Sequence, residues 1–389
     1  MDKKSLFSIK DTAFTLTSVL PVVFSMAICA GMGSFAGALF ACIATLICAS
    51  SVEEKNQMPI YVSLLIVTFT FKEFGASATA LSISVCGILL VISSLFYDKI
   101  KEAYIKNAEN SVVGSVMLSC AIVATILFTT DYFSIGATGN TSKEMIESYL
   151  SLGFHPNWRG VLYGTIVLVV MITFPRKFKK TTKIISAPFI ALIITTILNL
   201  FLNPSDMISS IREVGYLNFE DFKNILLLPV LSEKPTVVFS VFSGLSLFVT
   251  AIYFNLQNKN TNKTDIVASG VLNCISGFSA CMFIPAIARK RNIIGRIIAA
   301  ITAGAIFFVF HDFIARTPVS SCAVVIIVGV WQSVKWSEVK KIFSSLQSVF
   351  IFMIIITFAL IKEYTYVPLI ALVAETLISK VSKKINTCG

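Results

Sequence analysis

The stretch FSACMFIPAIARKRN (residues 278–292) decides how this chain is arranged in a membrane. It ends an apolar segment and places Pro285 shortly before a basic run that begins at Arg289. One arrangement makes 266–288 a single ordinary transmembrane helix with a basic flank. The other ends one helix before Pro285 and begins a second, short helix there. Lys and Arg concentrate in the cytoplasmic loops of membrane proteins, so their distribution along the whole chain separates the two arrangements.

The composition places the chain in a membrane. Hydrophobic residues make up 56% of its 389 residues and charged residues only 14%, which excludes a soluble globule with a hydrated surface. Segment 12–52 contains no charged residue and is long enough for two spans of about twenty residues each. The apolar run after the basic N-terminus is too long for a cleavable signal peptide, so the first span is retained. We therefore expect an all-α polytopic protein of the bacterial inner (plasma) membrane.

The positions of the basic residues favour about 14 transmembrane segments. If 266–296 forms two short elements, most of the 32 Lys and Arg residues lie on the cytoplasmic side, together with both chain termini. If 266–288 is one span, they divide about evenly between the two sides. The short third segment (59–71) and the tenth, which starts at Pro285, occupy corresponding positions of two seven-segment halves. This predicts a 7+7 inverted repeat with two half-helices, although both prolines also fit as simple kinks.

The two expected half-helices predict an anion site. Proline suits the first turn of a helix, and the positive N-terminal ends of two facing half-helices attract an anion. Each hydroxyl nearby also fits a role in helix packing, and Arg289 also fits a basic flank of the membrane span. The candidate substrate-binding residues are Ser25, Pro59, Ile60, Tyr61, Ser63, Ser243, Ser246, Ile284, Pro285, Ala286 and Arg289.

Other kinds of function find little support in the sequence. No Ser-His-Asp pattern or nucleotide-binding loop occurs, so an enzyme is not expected. The two histidines cannot form a metal site by themselves, and the nine cysteines lack paired spacing, so we expect no metal or cofactor. The Lys and Arg residues that give the net charge of +11 lie in short loops between spans. Membrane topology explains this placement, which argues against a nucleic-acid partner.

Five stretches resemble the sulfate permease (SulP) anion-transporter family. They occur in the family's order, from the first expected span to the loop after the twelfth, and the resemblance extends over nearly the whole chain. They are KDTAFTLTSVLPVVFSMAICAGMGSFAGALFACIATLICASS (10–51), MPIYVSLLIV (58–67), ITFPRKFKKTTKIISAPFIALIITTIL (172–198), TDIVASGVLNCISGFSACMFIPAIAR (264–289) and FIARTPVSSCAVVIIVGVWQSVKWSEVKKI (313–342).

The resemblance implies a core that moves against a gate and carries an anion by alternating access. The implied parts are a cytoplasmic N-terminus (1–13), core segments 1–4 (14–97), gate segments 5–7 (98–234), core segments 8–11 (235–315), gate segments 12–14 (316–380) and a short cytoplasmic tail (381–389). It implies a secondary transporter or exchanger of small anions of the sulfate, bicarbonate or dicarboxylate class. The expected partners are a small inorganic or carboxylate anion and the lipid bilayer, with a homodimer left open.

Several departures from the family pattern support an alternative. Val22 replaces a glutamine that is common after the first-span proline, and Ala286 lies where a glycine follows a hydroxyl residue in the family. The segment 239–254 lacks the acid that couples transport to a cation in many members, so we expect exchange or uniport. The family usually continues into a cytoplasmic STAS domain, whereas only about ten residues of this sequence follow the last expected segment, and this leaves open whether such a domain has been removed. The alternative is a degenerate member that no longer transports and acts as a membrane scaffold or partner subunit.

Overall fold

A computed structural model of the chain describes residues 9–29, 58–107, 111–139, 141–202, 234–257, 263–277 and 293–388. These residues are mainly helical. The α-helices are α1 (Ile9–Cys29), α2 (Met58–Leu95), α3 (Tyr97–Asn107), α4 (Ser111–Phe133), α5 (Ser142–Leu152), α6 (Trp158–Lys177), α7 (Ala187–Leu202), α8 (Lys234–Gln257), α9 (Lys263–Gly277), α10 (Ile293–Val309), α11 (His311–Ala315), α12 (Val319–Ser333), α13 (Trp336–Ile342), α14 (Leu346–Ile361) and α15 (Val367–Cys388). Two short 3-10 helices occupy Thr181–Lys183 and Tyr364–Tyr366.

The described helices include several candidate membrane spans. Five segments are long and apolar enough to cross a bilayer: Met58–Gly75, Ser77–Leu95, Val112–Phe133, Trp158–Lys177 and Thr236–Phe254. Helices α12 and α13, bent by 68° at their junction, can together supply a sixth. The expectation of an all-α polytopic membrane protein is therefore confirmed. The count of about 14 segments and the 7+7 repeat involve residues outside the described part and stay predictions.

Helix α2 is broken at Gly75 into two arms, Met58–Gly75 and Ser77–Leu95. The Gly75 backbone has φ of 78° and ψ of −170°, a conformation that residues with a Cβ atom rarely adopt. We expected the third segment to end at Phe71, before the charged Lys72 and Glu73. Both charged side chains are exposed, so the helix accommodates them and continues to the glycine. The first arm is 18 residues long, about 27 Å, and exceeds the expected half-helix.

Helices α2, α8 and α9 pack tightly and form what we call the first helix group. Glycines let their backbones touch, because small residues allow close helix crossings in membranes. A methyl group added at Gly87 would lie 2.6 Å from the backbone nitrogen of Cys274 and 2.7 Å from the carbonyl oxygen of Gly270. One added at Gly244 would lie 2.7 Å from the carbonyl oxygen of Ser82. The three helices are therefore held as a unit.

The second helix group comprises α4, α6, α7 and α12 to α15. The Trp331 indole N–H donates to the Thr125 hydroxyl at 2.9 Å and joins α12 to α4. The Tyr364 hydroxyl donates to the carbonyl of Val116 at 3.0 Å and ties the 364–366 turn to the same helix. Helix α1 packs against α7 and α12 of this group and against α10. It thus lies between the second group and α10.

Candidate functional site

Helix α2 begins inside the protein. Met58, Ile60, Tyr61 and Ser63 are each at most 3% exposed, and Pro59 is the second residue of the helix. The first N–H groups of a helix have no intrahelical carbonyl partner, and proline lacks an N–H at a position where it would be unsatisfied. The buried start therefore directs the positive end of the helix dipole into the interior. Anions bind to helix N-termini of this kind.

Tyr61 lies at the boundary between the two helix groups. Its side chain is fully buried, and its hydroxyl is so close to Gly329 of α12 that any side chain there would overlap it. Tyr61, Ser18, Ser186 and Gln332 are among the residues that line a small cavity of about 10 Å³, close to the space of one water. The start of α2 therefore lies against the second helix group, with a polar cavity beside it.

Ser63 on α2 and Ser246 on α8 have fully buried hydroxyls without a hydrogen-bond partner in the described part of the chain. The fully buried hydroxyl of Ser25 on α1 faces the Cys322 thiol, a weak hydrogen-bonding group. Other serines bond to their own helix, as Ser82 does by donating to the carbonyl of Ala78 at 2.7 Å. A buried polar group left unsatisfied costs about 1–3 kcal/mol. The Ser63 and Ser246 hydroxyls are therefore available to a water molecule or a polar ligand.

Ser243 lies far from the start of α2. Its hydroxyl is 2.6 Å from that of Thr70, about 18 Å along the first arm from Met58. Four residues further along α2, the Phe74 ring packs on that of Phe239, with centroids 4.2 Å apart. Residue numbers therefore decrease along α8 in the direction in which they increase along α2. The two helices are thus antiparallel, and the buried Thr250 is closer than Ser243 to the start of α2. Ser243 stays a prediction as a site residue, and so does Thr250, which the sequence also offers as a polar residue near the two half-helices.

The second predicted half-helix lies outside the described residues. Helix α9 ends at Gly277, and α10 begins at Ile293. The site residues predicted between them are Ile284, Pro285, Ala286 and Arg289, and their roles stay predictions.

The two helix groups are also joined at both ends of α8. At one end, the Phe239 ring packs on Phe74 of α2 and makes an edge contact with Tyr366, with centroids 5.9 Å apart. Near the other end, the Tyr253 hydroxyl donates to the carboxylate of Glu375 on α15. No spacing along the chain indicates these contacts, because they join remote segments. They hold the first group against the 364–366 turn and against α15.

Glu363 lies half-buried beside the aromatic contact. One of its carboxylate oxygens, Oε2, has no hydrogen-bond partner among the described residues. Glu73 of α2 and Glu144 of α5 face it, together with Lys362 and the Tyr366 ring. Burial, followed by repulsion from the two neighbouring carboxylates, raises the pKa of Glu363 to about 7, and Lys362 opposes this shift. A carboxyl group that titrates near neutral pH therefore lies where the two helix groups meet.

We expect this carboxyl group to make the stability of the protein depend on pH. Folding raises the pKa of Glu363 from 4.5 to about 7, so the folded protein binds this proton more tightly than the unfolded chain does. The free energy of unfolding should fall as pH rises through this interval and level off above it. Because solvent screens a half-exposed carboxylate, we expect a loss of about 1 kcal/mol rather than the full effect of the shift.

The test is to measure the midpoint of thermal unfolding at pH 5 and at pH 8 for the wild type, Glu363→Gln and Glu147→Gln. Glu363→Gln should lose less stability than the wild type between these pH values. Glu147→Gln is the control, because Glu147 is an exposed acid that pairs with Lys143 at 3.7 Å. If Glu363→Gln keeps the full pH dependence of the wild type, Glu363 is not the responsible group.

No metal centre is evident in the part of the chain that the structure describes. It contains no cluster of three or more His, Cys, Asp or Glu side chains that could hold an ion. Cys86, Cys120, Cys274 and Cys322 are free thiols. Among the described residues, the polar groups around the start of α2 are hydroxyls, the Gln332 carboxamide and backbone amides, all of which can donate a hydrogen bond to an anion.

Comparisons by sequence identify no relative. No family model matches the chain, and no curated protein matches it.

Solved structures do share the fold. The transmembrane domain of a cyanobacterium bicarbonate transporter, BicA, has a TM-score of 0.68 and 16% identity over 96% of this chain and 99% of that one. The murine anion transporter Slc26a9 in the inward-facing state has a TM-score of 0.69 and 9% identity, covering 98% of this chain and 69% of that one. Another SLC26A9 structure has a TM-score of 0.58 and 11% identity, covering 97% and 66%. The chain therefore has the transmembrane fold of the sulfate permease (SulP/SLC26) anion transporters.

Proposed function

We propose that this protein is a secondary transporter or exchanger of small anions of the sulfate, bicarbonate or dicarboxylate class. The observation that carries the proposal is the buried start of α2 at Met58 to Ser63, within a fold shared with anion transporters. Backbone N–H groups and the Ser63 hydroxyl can donate hydrogen bonds to an oxyanion, and such charge-assisted bonds are among the stronger ones. Ile60 and Tyr61 would shape the same end of the site.

The proposed mechanism moves a core against a gate. The tight packing of α2, α8 and α9 supports a rigid core made from segments 1–4 and 8–11 of a 7+7 repeat. Helices α4, α6, α7 and α12 to α15 would belong to the gate, made from segments 5–7 and 12–14. The buried start of α2 would face the predicted start of the tenth segment at Pro285, with the anion between them. Displacement of the core past α12 would then open the site to one side of the membrane at a time.

A non-transporting role remains the second candidate. Val22 is buried in α1, where members of the family commonly have a glutamine, so one polar group of the usual site is replaced by an apolar one. Thr236–Phe254 of α8 contains no acid. In this alternative the chain is a membrane scaffold or a partner subunit that keeps the fold.

A flux screen separates the two candidates. The purified protein in liposomes would be offered radiolabelled sulfate, bicarbonate or fumarate, with and without pH and sodium gradients. We expect saturable uptake or counterflow of at least one of these anions. Protein-free liposomes provide the control for leakage. If the reconstituted protein moves none of the three above that control, the scaffold alternative is favoured.

The proposed topology has cytoplasmic termini, and α6 provides a direct test of it. The helix runs from Trp158 to Lys177, about 30 Å, which matches the hydrocarbon thickness of a bilayer. Lys143 lies on α5 before this helix and Lys179 lies just after it, and both side chains are exposed. The distribution of basic residues predicts that Lys143 faces the outside and Lys179 the cytoplasm.

In a cysteine-free background, an impermeant thiol reagent added to intact cells should label Lys143→Cys and leave Lys179→Cys unlabelled. Opening the cells should expose both positions to the reagent, which controls for intrinsic reactivity. The orientation is wrong if Lys179→Cys is labelled in intact cells as strongly as Lys143→Cys.

A further inference from the structure

A second cavity, with no lining residue from α2, lies where α1, α7 and the α10–α11 connection meet. Its volume is about 280 Å³. Leu20 and Phe24 of α1 form one wall, Ile193 of α7 another, and Phe310 and Phe313 a third. The part of α7 that lines it, from residue 189 to residue 196, extends about 10 Å along the helix axis. We call this elongated apolar space the α7 crevice.

The α7 crevice offers no spare hydrogen-bonding group. Its polar side chains are Thr196 and Thr317, and their hydroxyls are 2.9 Å apart. The Thr196 hydroxyl donates to the carbonyl of Leu192 at 2.7 Å, so Thr317 is left as the donor to Thr196. Apolar cavities without free polar partners do not hold ordered water, and they bind apolar molecules. The crevice is therefore unsuited to an anion and suited to a hydrocarbon.

The crevice borders an exposed apolar surface. Phe310, one of its lining residues, is 54% exposed, and Ile301, Phe308 and Val309 of the neighbouring α10 are also exposed. Large apolar side chains clustered on the surface of a membrane protein contact the acyl chains of the bilayer. The hydrocarbon next to the crevice is thus the tail of a phospholipid.

We propose that the α7 crevice binds one acyl chain of a bilayer phospholipid, inserted between α1 and α7. The inference rests on the shape and lining of the crevice and goes beyond the proposed transport. An acyl chain there fills a space that would otherwise leave the surrounding side chains without dispersion contacts. Helix α7 belongs to the second helix group, and α10 packs on α1. The acyl chain would therefore contact the second group on one side and α1 with α10 on the other.

The first test fills the crevice from one wall. Ile193→Trp places a bulky ring in it, whereas Ile197→Trp places the same ring one turn later on α7, at an exposed position outside the lining. The full-length proteins would be loaded with phosphatidylglycerol carrying brominated acyl chains, washed in detergent and weighed by native mass spectrometry. We expect Ile193→Trp to retain this lipid at least about tenfold less than the wild type and Ile197→Trp. Equal retention by all three proteins, or equal loss from both variants, would overturn the proposal.

A second test leaves the crevice open. Phe313→Trp exchanges one aromatic lining residue for another and adds a fluorescent reporter. After detergent washing, retained brominated lipid should quench the added emission, measured as the difference from wild-type protein carrying the same lipid. The emission added by Ile197→Trp should not be quenched under these conditions. If the Phe313→Trp emission is the same with brominated and unbrominated lipid, no acyl chain occupies the crevice.

Discussion

Gly87→Ala should lower the free energy of unfolding by about 3 kcal/mol, near the upper end of the usual range for overpacking. The added methyl group would lie 2.6 Å from the backbone nitrogen of Cys274 and 2.7 Å from the carbonyl oxygen of Gly270. Both atoms belong to the backbone of α9, which cannot rotate away as a side chain can. Relief therefore requires α2 and α9 to separate, and this loosens the first helix group.

The midpoint of thermal unfolding in detergent measures this effect. Gly136→Ala is the matched control, because a methyl group at Gly136 meets no atom within 4 Å and its φ is not positive. We expect the control to unfold within a degree or two of the wild type, as surface substitutions usually do. The direct contact between α2 and α9 would be refuted if both alanine variants unfolded at the same temperature.

Gly270→Ala provides an independent check on the same crossing. Its methyl group would lie 2.9 Å from the carbonyl oxygen of Gly87 and from the backbone nitrogen of Val91. Once one methyl group has separated the helices, the second should add less destabilisation. The double variant should therefore be more stable than the sum of the single effects predicts. Full additivity would mean that the two glycines act at separate places.

Arg289→Gln should weaken anion binding by about 1.5 to 3 kcal/mol, the usual contribution of a charge-assisted hydrogen bond. In the proposed tenth segment, a half-helix that starts near Pro285, Arg289 would lie about one turn inside, about 6 Å along the axis. From there its charge would add to the positive helix end that faces the first arm of α2. A charged residue facing the interior of a membrane protein is expected to serve a site.

Lys290→Gln is the matched control for this prediction. The next residue on a helix is rotated by about 100°, so Lys290 should point away from the site and its loss should change binding little. Both variants keep enough basic residues for normal insertion. In a cysteine-free background, a cysteine introduced at Ile60 would be treated with a thiol reagent, and its protection by sulfate or bicarbonate would measure binding in each variant. If the two variants bind these anions equally well, Arg289 serves only as a basic flank, and the scaffold alternative gains support.

The membrane class and the position of Pro59 could be predicted from sequence because both depend on local pattern. Helices with so few charged residues are stable only when lipid surrounds them. Within a helix, proline is favoured only in the first turn, and this placed Pro59 at a helix start. The end of the first arm was misplaced at Phe71 for a physical reason. Lys72 and Glu73 indicated the edge of the bilayer, but charged side chains continue a helix readily, and the break required the unusual backbone of Gly75.

The partners of the site residues could not be predicted, because they depend on the register between distant helices. Ser243 and Ser246 are equivalent in sequence terms: both are small hydroxyl residues on one apolar helix. The structure separates them, since Ser243 meets Thr70 whereas the Ser246 hydroxyl is left without a partner in the described part. Glu363 was missed for a similar reason. Its neighbours Glu73 and Glu144 come from two remote segments, and no spacing along the chain brings them together.

The buried start of α2 also bears on how far such a protein can diverge. In the proposed site, main-chain amides supply part of the hydrogen bonding to the ligand beside Ser63 and Arg289, and every residue except proline supplies such an amide. Mutational drift at Ile60 or Tyr61 would change the room around an anion and leave the donors in place. Anion binding at this site would then depend less on which side chains are conserved. Under the proposed function, a chain that shares its fold but only 16% of its residues with the transmembrane domain of BicA would still have these main-chain donors.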